Sequence, residues 1–186
     1  MKTLIINASP RKNGNTAFLV NELKRNLKGE IVEISAYYDG IAPCIACDYC
    51  RQNAQCSIRD KMDVIYADDF DNVAIASPVH MSNLSGPLVS ILSRLQVYYN
   101  SKRFLNNKIN PRKKEGILIL TGGGDGSAEC AVKSAEIMFR LLNAVHPVQN
   151  NVFTLNTDKL PAYQDNEAIK KINEIAERIN VKHDRT

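Results

Sequence analysis

Short apolar runs alternate with amphipathic segments along this chain of 186 residues. The runs at 4–6, 73–76 and 117–120 contain no alternating polar positions, a pattern typical of parallel strands covered on both faces. Two further strands are predicted at 31–34 and within 148–155. Five strands separated by helical segments predict an α/β fold, a doubly wound parallel sheet with helices on both faces.

Apolar residues at steps of three and four predict the helices between these strands. The predicted helices cover 15–28, 60–67, 86–98, 127–144 and a last segment marked by Ile169, Ile172, Ile175 and Ile179. A polar stretch at 99–115 is predicted to be a connector. Asn13 or Asn15 is expected to cap the first helix. The length favours one domain over residues 1–186, with a cysteine-rich insertion loop at about 36–59.

Three loops that follow predicted strands have unusual compositions, at 8–16, 77–86 and 121–127. They leave the sheet at the carboxyl ends of its strands, where doubly wound sheets bind ligands. The first loop combines hydroxyls, an arginine and a helix start, which suits a phosphate. It lacks the glycines of a Walker A loop or a dinucleotide fingerprint. The third has four glycines in six residues, which permit close approach of a ligand. Ordinary turns are the alternative for each loop taken alone.

Composition narrows the function classes. Hydrophobic residues make up 44% of the chain and charged residues 24%, as in soluble globular proteins. No apolar stretch has membrane-spanning length, and the first strand begins at once, without a signal peptide. We therefore expect a cytoplasmic protein without a membrane partner. The net charge of +4 is dispersed apart from a cluster at 112–114, and no nucleic-acid-binding motif accompanies it.

The motifs in combination resemble the flavodoxin-like NAD(P)H-dependent FMN reductase family. The resemblance rests on segments 5–16, 77–80 and 121–124, together with Gly86 and Arg94. It implies a five-stranded parallel sheet in the order 2-1-3-4-5, FMN as cofactor and NAD(P)H as electron donor. It also implies a homodimer or a higher homo-oligomer.

The same resemblance implies that the first loop holds the FMN phosphate and that the other two flank the isoalloxazine. The residues expected to bind the cofactor are Ser9, Arg11, Asn13, Gly14, Asn15, Thr16, Pro78, Val79, His80, Met81, Ser82, Thr121, Gly122 and Gly123. No catalytic side chain is predicted, because hydride transfer to the flavin requires no acid or base from the protein. The chain departs from the family pattern at His80, where tyrosine is common. It also departs at Val89 and Ser93, where lysine and aspartate are frequent.

Four of the five cysteines fall within 13 residues, in the pattern C-x2-C-x2-C-x5-C. In a chain expected in the cytoplasm, such clustering indicates metal or redox chemistry rather than disulfides. The compact spacing suits a 4Fe–4S cluster and resembles the motif of the iron–sulfur flavoprotein subgroup. Tetrahedral zinc and a metal-free role are the alternatives. The candidate ligands are Cys44, Cys47, Cys50 and Cys56. Cys130 is expected to be structural, near the core face of its helix.

The sequence thus predicts an FMN-dependent oxidoreductase that takes hydride from NAD(P)H. Its electrons pass to a quinone, another small acceptor or a protein partner. The alternative is an iron–sulfur/FMN or flavodoxin-type electron-transfer protein without direct nicotinamide chemistry. The positive net charge favours the enzyme, because carriers of flavodoxin type tend to have acidic surfaces. A zinc-stabilised interaction protein that has lost its flavin is a third possibility, opposed by the phosphate-type loop.

Overall fold

A computed structural model describes residues 1–124 and 126–184. Asp125, within the predicted glycine-rich loop, and residues 185–186 lie outside the described part. The strands are β1 (Lys2–Asn7), β2 (Glu30–Ser35), β3 (Asn72–His80), β4 (Asn83–Leu84), β5 (Lys114–Thr121), β6 (Ala144–Val145) and β7 (Asn151–Thr154). The helices are α1 (Asn15–Asn26), α2 (Met62–Tyr66), α3 (Gly86–Arg94), α4 (Gln96–Leu105), α5 (Glu129–Leu141) and α6 (Asn166–Asp184). Short 3₁₀ helices cover Tyr49–Arg51, Val148–Asn150 and Ala162–Gln164. Within the described ranges, no helix combines the length and apolar character needed to cross a membrane.

The parallel strands lie in the spatial order β2-β1-β3-β5, and both β6 and β7 pair with β5 at the far edge. Ile6 of β1 lies between Ile34 of β2 and Ile75 of β3. The predicted sheet and its order, 2-1-3-4-5, are confirmed, with β5 and β7 as the fourth and fifth strands. The fifth strand position of the sheet is shared by two short strands, β6 and β7, which the 3₁₀ helix Val148–Asn150 separates.

Two separate apolar clusters cover the faces of the sheet. Leu4 and Ile6 of β1 join one cluster with residues of α3, α4 and α5. Ile5, between them, joins the other cluster with residues of α1 and α6. The run at 117–120 of β5 alternates between the clusters in the same way. Strands covered on both faces need apolar residues at every position, which is why the sequence pattern is continuous.

The prediction for residues 86–115 is wrong in part. The predicted helix over 86–98 is divided at Leu95 into α3 and α4. The predicted connector from 99 onward instead continues as α4 to Leu105. Two of the residues that α4 buries are polar, Asn100 and Ser101. Because the apolar pattern counts such residues as exposed, it ended the helix too early.

The expected cap of α1 is also wrong. Gly14 is the N-cap, in an extended conformation and without a side-chain cap bond. The side chain of Asn15 instead accepts a hydrogen bond from the Ala162 N–H at 3.0 Å. The predicted ends of α1, α2 and α5 overshoot by up to three residues, as at 144 against Leu141 for α5.

Candidate cofactor cavity and cysteine cavity

The loops after β1, β3 and β5 meet at the carboxyl edge of the sheet. The parallel register places Asn7 beside Ala76, and Pro78 beside Thr121. A buried hydrogen bond of 2.7 Å joins the Thr16 and Thr121 hydroxyls. The start of α1 is therefore tied directly to the end of β5.

These loops enclose a cavity of about 200 Å³. The predicted cofactor-binding residues that line it are Ser9, Arg11, Gly14, Asn15, Thr16, Pro78, Val79, His80, Thr121, Gly122 and Gly123. Asn13, Met81 and Ser82 do not line it. His80 pairs with Asn83 in an antiparallel bridge, so Met81 and Ser82 form the turn of a short hairpin. Both turn residues have left-handed backbones, with φ of 49° and 63°, and Met81 is 98% exposed.

Thr157 and Asp158 complete the cavity wall, and the sequence did not indicate them. The Thr157 backbone N–H and hydroxyl both donate to the Gly122 carbonyl, at 2.8 and 2.9 Å. The Asp158 N–H donates to the Gly123 carbonyl at 3.1 Å. A Cβ on Gly123 would lie 2.7 Å from Asp158 Oδ2, so glycine permits this close packing. Their position in the sequence could have indicated them, since both residues follow the carboxyl end of β7, where a fourth loop reaches the same edge of the sheet.

The start of α1 presents an uncapped helix N-terminus at the cavity. Its first turn has no acidic residue, and Gly14 supplies no side-chain cap. Its free N–H groups and the positive end of the helix dipole are thus available to an anion. Ser9 is buried, and its hydroxyl donates to the Arg11 carbonyl at 2.7 Å, which closes the turn. Arg11 is exposed and forms no ion pair with any described residue. Together these groups suit a phosphate.

The segment after β2 supports this phosphate-type loop from outside. The Tyr38 hydroxyl donates to the Pro10 carbonyl at 2.5 Å. Lys12 Nζ lies 5.7 Å from the centre of the Tyr38 ring. Of the two adjacent cations, Arg11 lines the cavity and Lys12 lies over the tyrosine.

A second cavity, of about 400 Å³, lies between the cysteine-rich loop and the junction of α3 and α4. All four clustered cysteines line it: Cys44, Cys47, Cys50 and Cys56. The Cys47 sulfur and the Ser57 hydroxyl are 3.1 Å apart. The Asn100 amide donates to the Cys50 sulfur at 3.1 Å. None of the five cysteines forms a disulfide.

The four cysteines line the same cavity without converging on a single ion site. In the part of the chain that is described, no three histidine, cysteine or acidic side chains converge as ligands of one ion. Tetrahedral zinc needs all its sulfurs at about 2.3 Å from a single ion. The cysteines of a 4Fe–4S cubane bind different irons around a larger body. The four cysteines share the lining of one cavity, and thiolate sulfur is a donor suited to an iron–sulfur cluster or to zinc.

A buried ion pair fixes the ends of the cysteine-rich loop. The Arg94 side chain is 1% exposed, and its Nη1 lies 2.8 Å from Asp60 Oδ2. The guanidinium also donates to the carbonyls of Ala42 and Ile58, at 3.0 and 3.1 Å. Burial acts to raise the pKa of Asp60, but hydrogen bonds from Arg94 and backbone N–H groups outweigh it and the net pKa is lowered. The segments before and after the cysteines are thereby both attached to α3.

The expectation that Cys130 lies on or near the core face of its helix is wrong. Cys130 is exposed in the first turn of α5. The buried face of that helix begins one residue later, at Ala131, and continues through Ala135 and Met138. Because adjacent helical residues point about 100° apart, Cys130 is turned out of this face.

The sheet order and its flanking helices define a flavodoxin-like α/β protein with a cavity formed by three loops at the carboxyl edge of the sheet. Its sequence matches the model of the NADPH-dependent FMN reductase family over residues 1–159. The chain belongs to this family and is an FMN-dependent oxidoreductase.

Similar proteins include an iron–sulfur flavoprotein of Methanosarcina thermophila, 27% identical over 186 residues that cover 96% of this chain and 93% of the relative. One from Methanocaldococcus jannaschii is 29% identical over 157 residues, covering 81% of this chain and 77% of the relative. Among solved structures, an FMN-dependent NADH-azoreductase from Bacillus anthracis in complex with FMN has a TM-score of 0.68 at 19% identity, covering 97% of this chain and all of that chain. Smu.1420 from Streptococcus mutans has a TM-score of 0.71 at 13% identity, covering 96% of this chain and all of that chain. At these identities the two structures support the fold alone.

We expect Thr16→Val or Thr121→Val alone to lower the free energy of unfolding by about 1–3 kcal/mol, because each leaves the other buried hydroxyl unpaired. The double variant should lose less free energy of unfolding than the two single variants lose together, since no hydroxyl is then left without a partner. Urea unfolding of the flavin-free protein measures all three. Strict additivity would show that the two hydroxyls are not coupled.

Proposed function

We propose that this oxidoreductase holds FMN in the three-loop cavity and a 4Fe–4S cluster in the cysteine cavity, and that it transfers electrons between them. The observation that carries the proposal is that all four clustered cysteines line one cavity, in a chain that belongs to the FMN reductase family. The names of the curated relatives, iron–sulfur flavoproteins, support it. When bound, FMN supplies the chemistry for accepting a hydride and releasing electrons singly.

The chain's own residues divide the binding of FMN between two ends of the cavity. At the start of α1, Arg11, Thr16 and the backbone N–H groups of the first turn would bind the phosphate. Ser9, whose hydroxyl donates to the Arg11 carbonyl, would hold the turn around it. Asn15 would supply its amide nitrogen there, because among the described residues only its oxygen has a partner, the Ala162 N–H. The predicted flavin contact of Asn13 stays a prediction.

The segments 78–80 and 121–123 flank the isoalloxazine in this proposal. The cavity volume of about 200 Å³ is below the roughly 300–1,000 Å³ of typical ligand pockets. A cavity of this volume would enclose only part of the cofactor. Contacts of the flavin with Met81 and Ser82, at the hairpin turn, stay predictions.

The four cysteine thiolates would hold the cluster, with soft sulfur ligands suited to iron. Electrons leave for a quinone, another small acceptor or a protein partner. We expect the chain to work as a homodimer or a higher homo-oligomer, as its family resemblance implies. We also expect it to be cytoplasmic.

The phosphate assignment is tested with Arg11→Ala. We expect this variant to bind FMN about 10- to 100-fold more weakly, since hydrogen bonds to charged groups contribute about 1.5–3 kcal/mol. Binding of riboflavin should not change, because riboflavin has no phosphate. Lys12→Ala is the matched control, since Lys12 lies over Tyr38. Fluorescence titration of the flavin-free variants measures both affinities. Equal losses for FMN and riboflavin would place the phosphate elsewhere.

The cluster assignment is tested on protein purified without oxygen. We expect flavin absorption together with about four irons and four acid-labile sulfides per chain. Cys50→Ser should lose iron and keep flavin, whereas Cys130→Ser should keep both, because Cys130 does not line the cavity. Metal analysis and absorption spectra measure the outcome. Flavin without iron or sulfide in the unmodified protein would leave an FMN reductase whose cysteines serve another purpose.

The electron donor is tested by anaerobic stopped-flow mixing with NADPH and with NADH. We expect at least one nucleotide to bleach the flavin band at about 1 s⁻¹ or faster, within the usual range of turnover. Comparison of the two rates gives the nucleotide preference. If dithionite reduces the flavin but neither nucleotide does, the protein is an electron carrier without nicotinamide chemistry.

A further inference from the structure

The wall of the cysteine cavity opposite the cysteine-rich loop comes from α3 and α4, and it carries buried polar side chains. Asn100 is 3% exposed and Arg94 is 1% exposed, and both line the cavity. Burying polar groups costs free energy unless each finds a hydrogen-bond partner. The partners of these two residues therefore indicate what the cavity is built to receive.

The amide of Asn100 is oriented toward sulfur. Its oxygen faces Gln96 Nε2 at 3.4 Å, and its Nδ2 donates to Cys50 Sγ at 3.1 Å. A neutral thiol is a weak acceptor, so it satisfies a buried amide poorly. A metal-bound thiolate carries negative charge and accepts a stronger, charge-assisted hydrogen bond. The contact is thus better matched to a metal-bound Cys50 than to a free thiol.

Arg94 provides an independent observation on the same wall. Its terminal nitrogens are occupied by Asp60 and by the carbonyls of Ala42 and Ile58. Its Nε is buried and has no hydrogen-bond partner among the described residues. Buried donors are almost always paired in native proteins. This donor belongs to a residue that lines the cavity, so an acceptor bound there would satisfy it.

We propose that Asn100 is a positioning residue of the cysteine cavity, which with Arg94 donates hydrogen bonds to the sulfur atoms of the bound cluster. These hydrogen bonds strengthen the binding of iron. They also raise the reduction potential of the cluster, because they stabilise the extra negative charge of its reduced state. The inference rests on the proposed function and adds residues that lie outside the cysteine motif, on a different element of the fold.

The test compares Asn100→Leu, Asn100→Asp and Asn107→Leu, all purified without oxygen. Asn107 is exposed just beyond the end of the same helix, so it is a matched control for the loss of an amide. We expect Asn100→Leu to hold iron about 10- to 100-fold more weakly in competition with a chelator. The reduction potential of its cluster should become more negative, as measured by a redox titration monitored by electron paramagnetic resonance. Asn100→Asp should make the reduction potential more negative still, because a negatively charged carboxylate replaces the amide donor. Asn107→Leu should match the unmodified protein.

The outcomes separate this inference from the proposed function. If the unmodified protein contains iron and sulfide but both Asn100 variants keep its iron affinity and potential, the inference is overturned and the cluster assignment stands. If the unmodified protein contains no iron, the cluster assignment fails, and the inference fails with it. A merely structural role for Asn100 would change the unfolding free energy without moving the potential, which also counts against the inference.

Discussion

Burial of β1, β3 and β5 on both faces is the constraint on which the rest of the molecule depends. A one-residue slip of a strand exchanges its two faces, and here each face belongs to a different packed cluster. The register is therefore fixed, and with it the point at which each strand leaves the sheet. Asn7, Ala76 and Thr121 stand close to one edge for this reason. The buried Thr16–Thr121 bond adds the start of α1 to that edge.

The cysteine-rich loop depends on a different interaction, because it has almost no regular structure of its own. Long loops of this kind pay an ordering cost that only attachment to the rest of the fold can offset. The buried Arg94–Asp60 pair provides that attachment and also binds the carbonyls of Ala42 and Ile58. Removing one member of such a pair typically costs about 3–5 kcal/mol, because the other charge is left buried alone. The shape of the cysteine cavity thus depends on a residue of α3 that contributes no sulfur.

How far the sequence predicts this structure depends on which residues carry the signal. Continuous apolar runs identified the central strands, and the composition of three strand-following loops identified most of the lining of the cavity at the carboxyl edge of the sheet. The hairpin turn was missed because Met81 and Ser82 adopt left-handed backbones, which glycine or asparagine would have signalled. Thr157 and Asp158 were missed because their role follows from position after a short edge strand. Asn100 gave no signal, since only folding brings it to Cys50, fifty positions earlier in the chain.

The residue that explains why α4 was not predicted in full is also the one that contributes to the chemistry of the cysteine cavity. The apolar pattern ended the helix early because Asn100 and Ser101 are polar, yet both are buried. Ser101 satisfies its hydroxyl within the fold, on the Asn107 carbonyl at 2.8 Å. Asn100 instead directs its amide at a cysteine sulfur, a poor partner for a buried donor unless the sulfur is charged. Local rules are expected to fail where function requires it, and at Asn100 the residue that broke the pattern faces the cavity that the proposed cluster would fill.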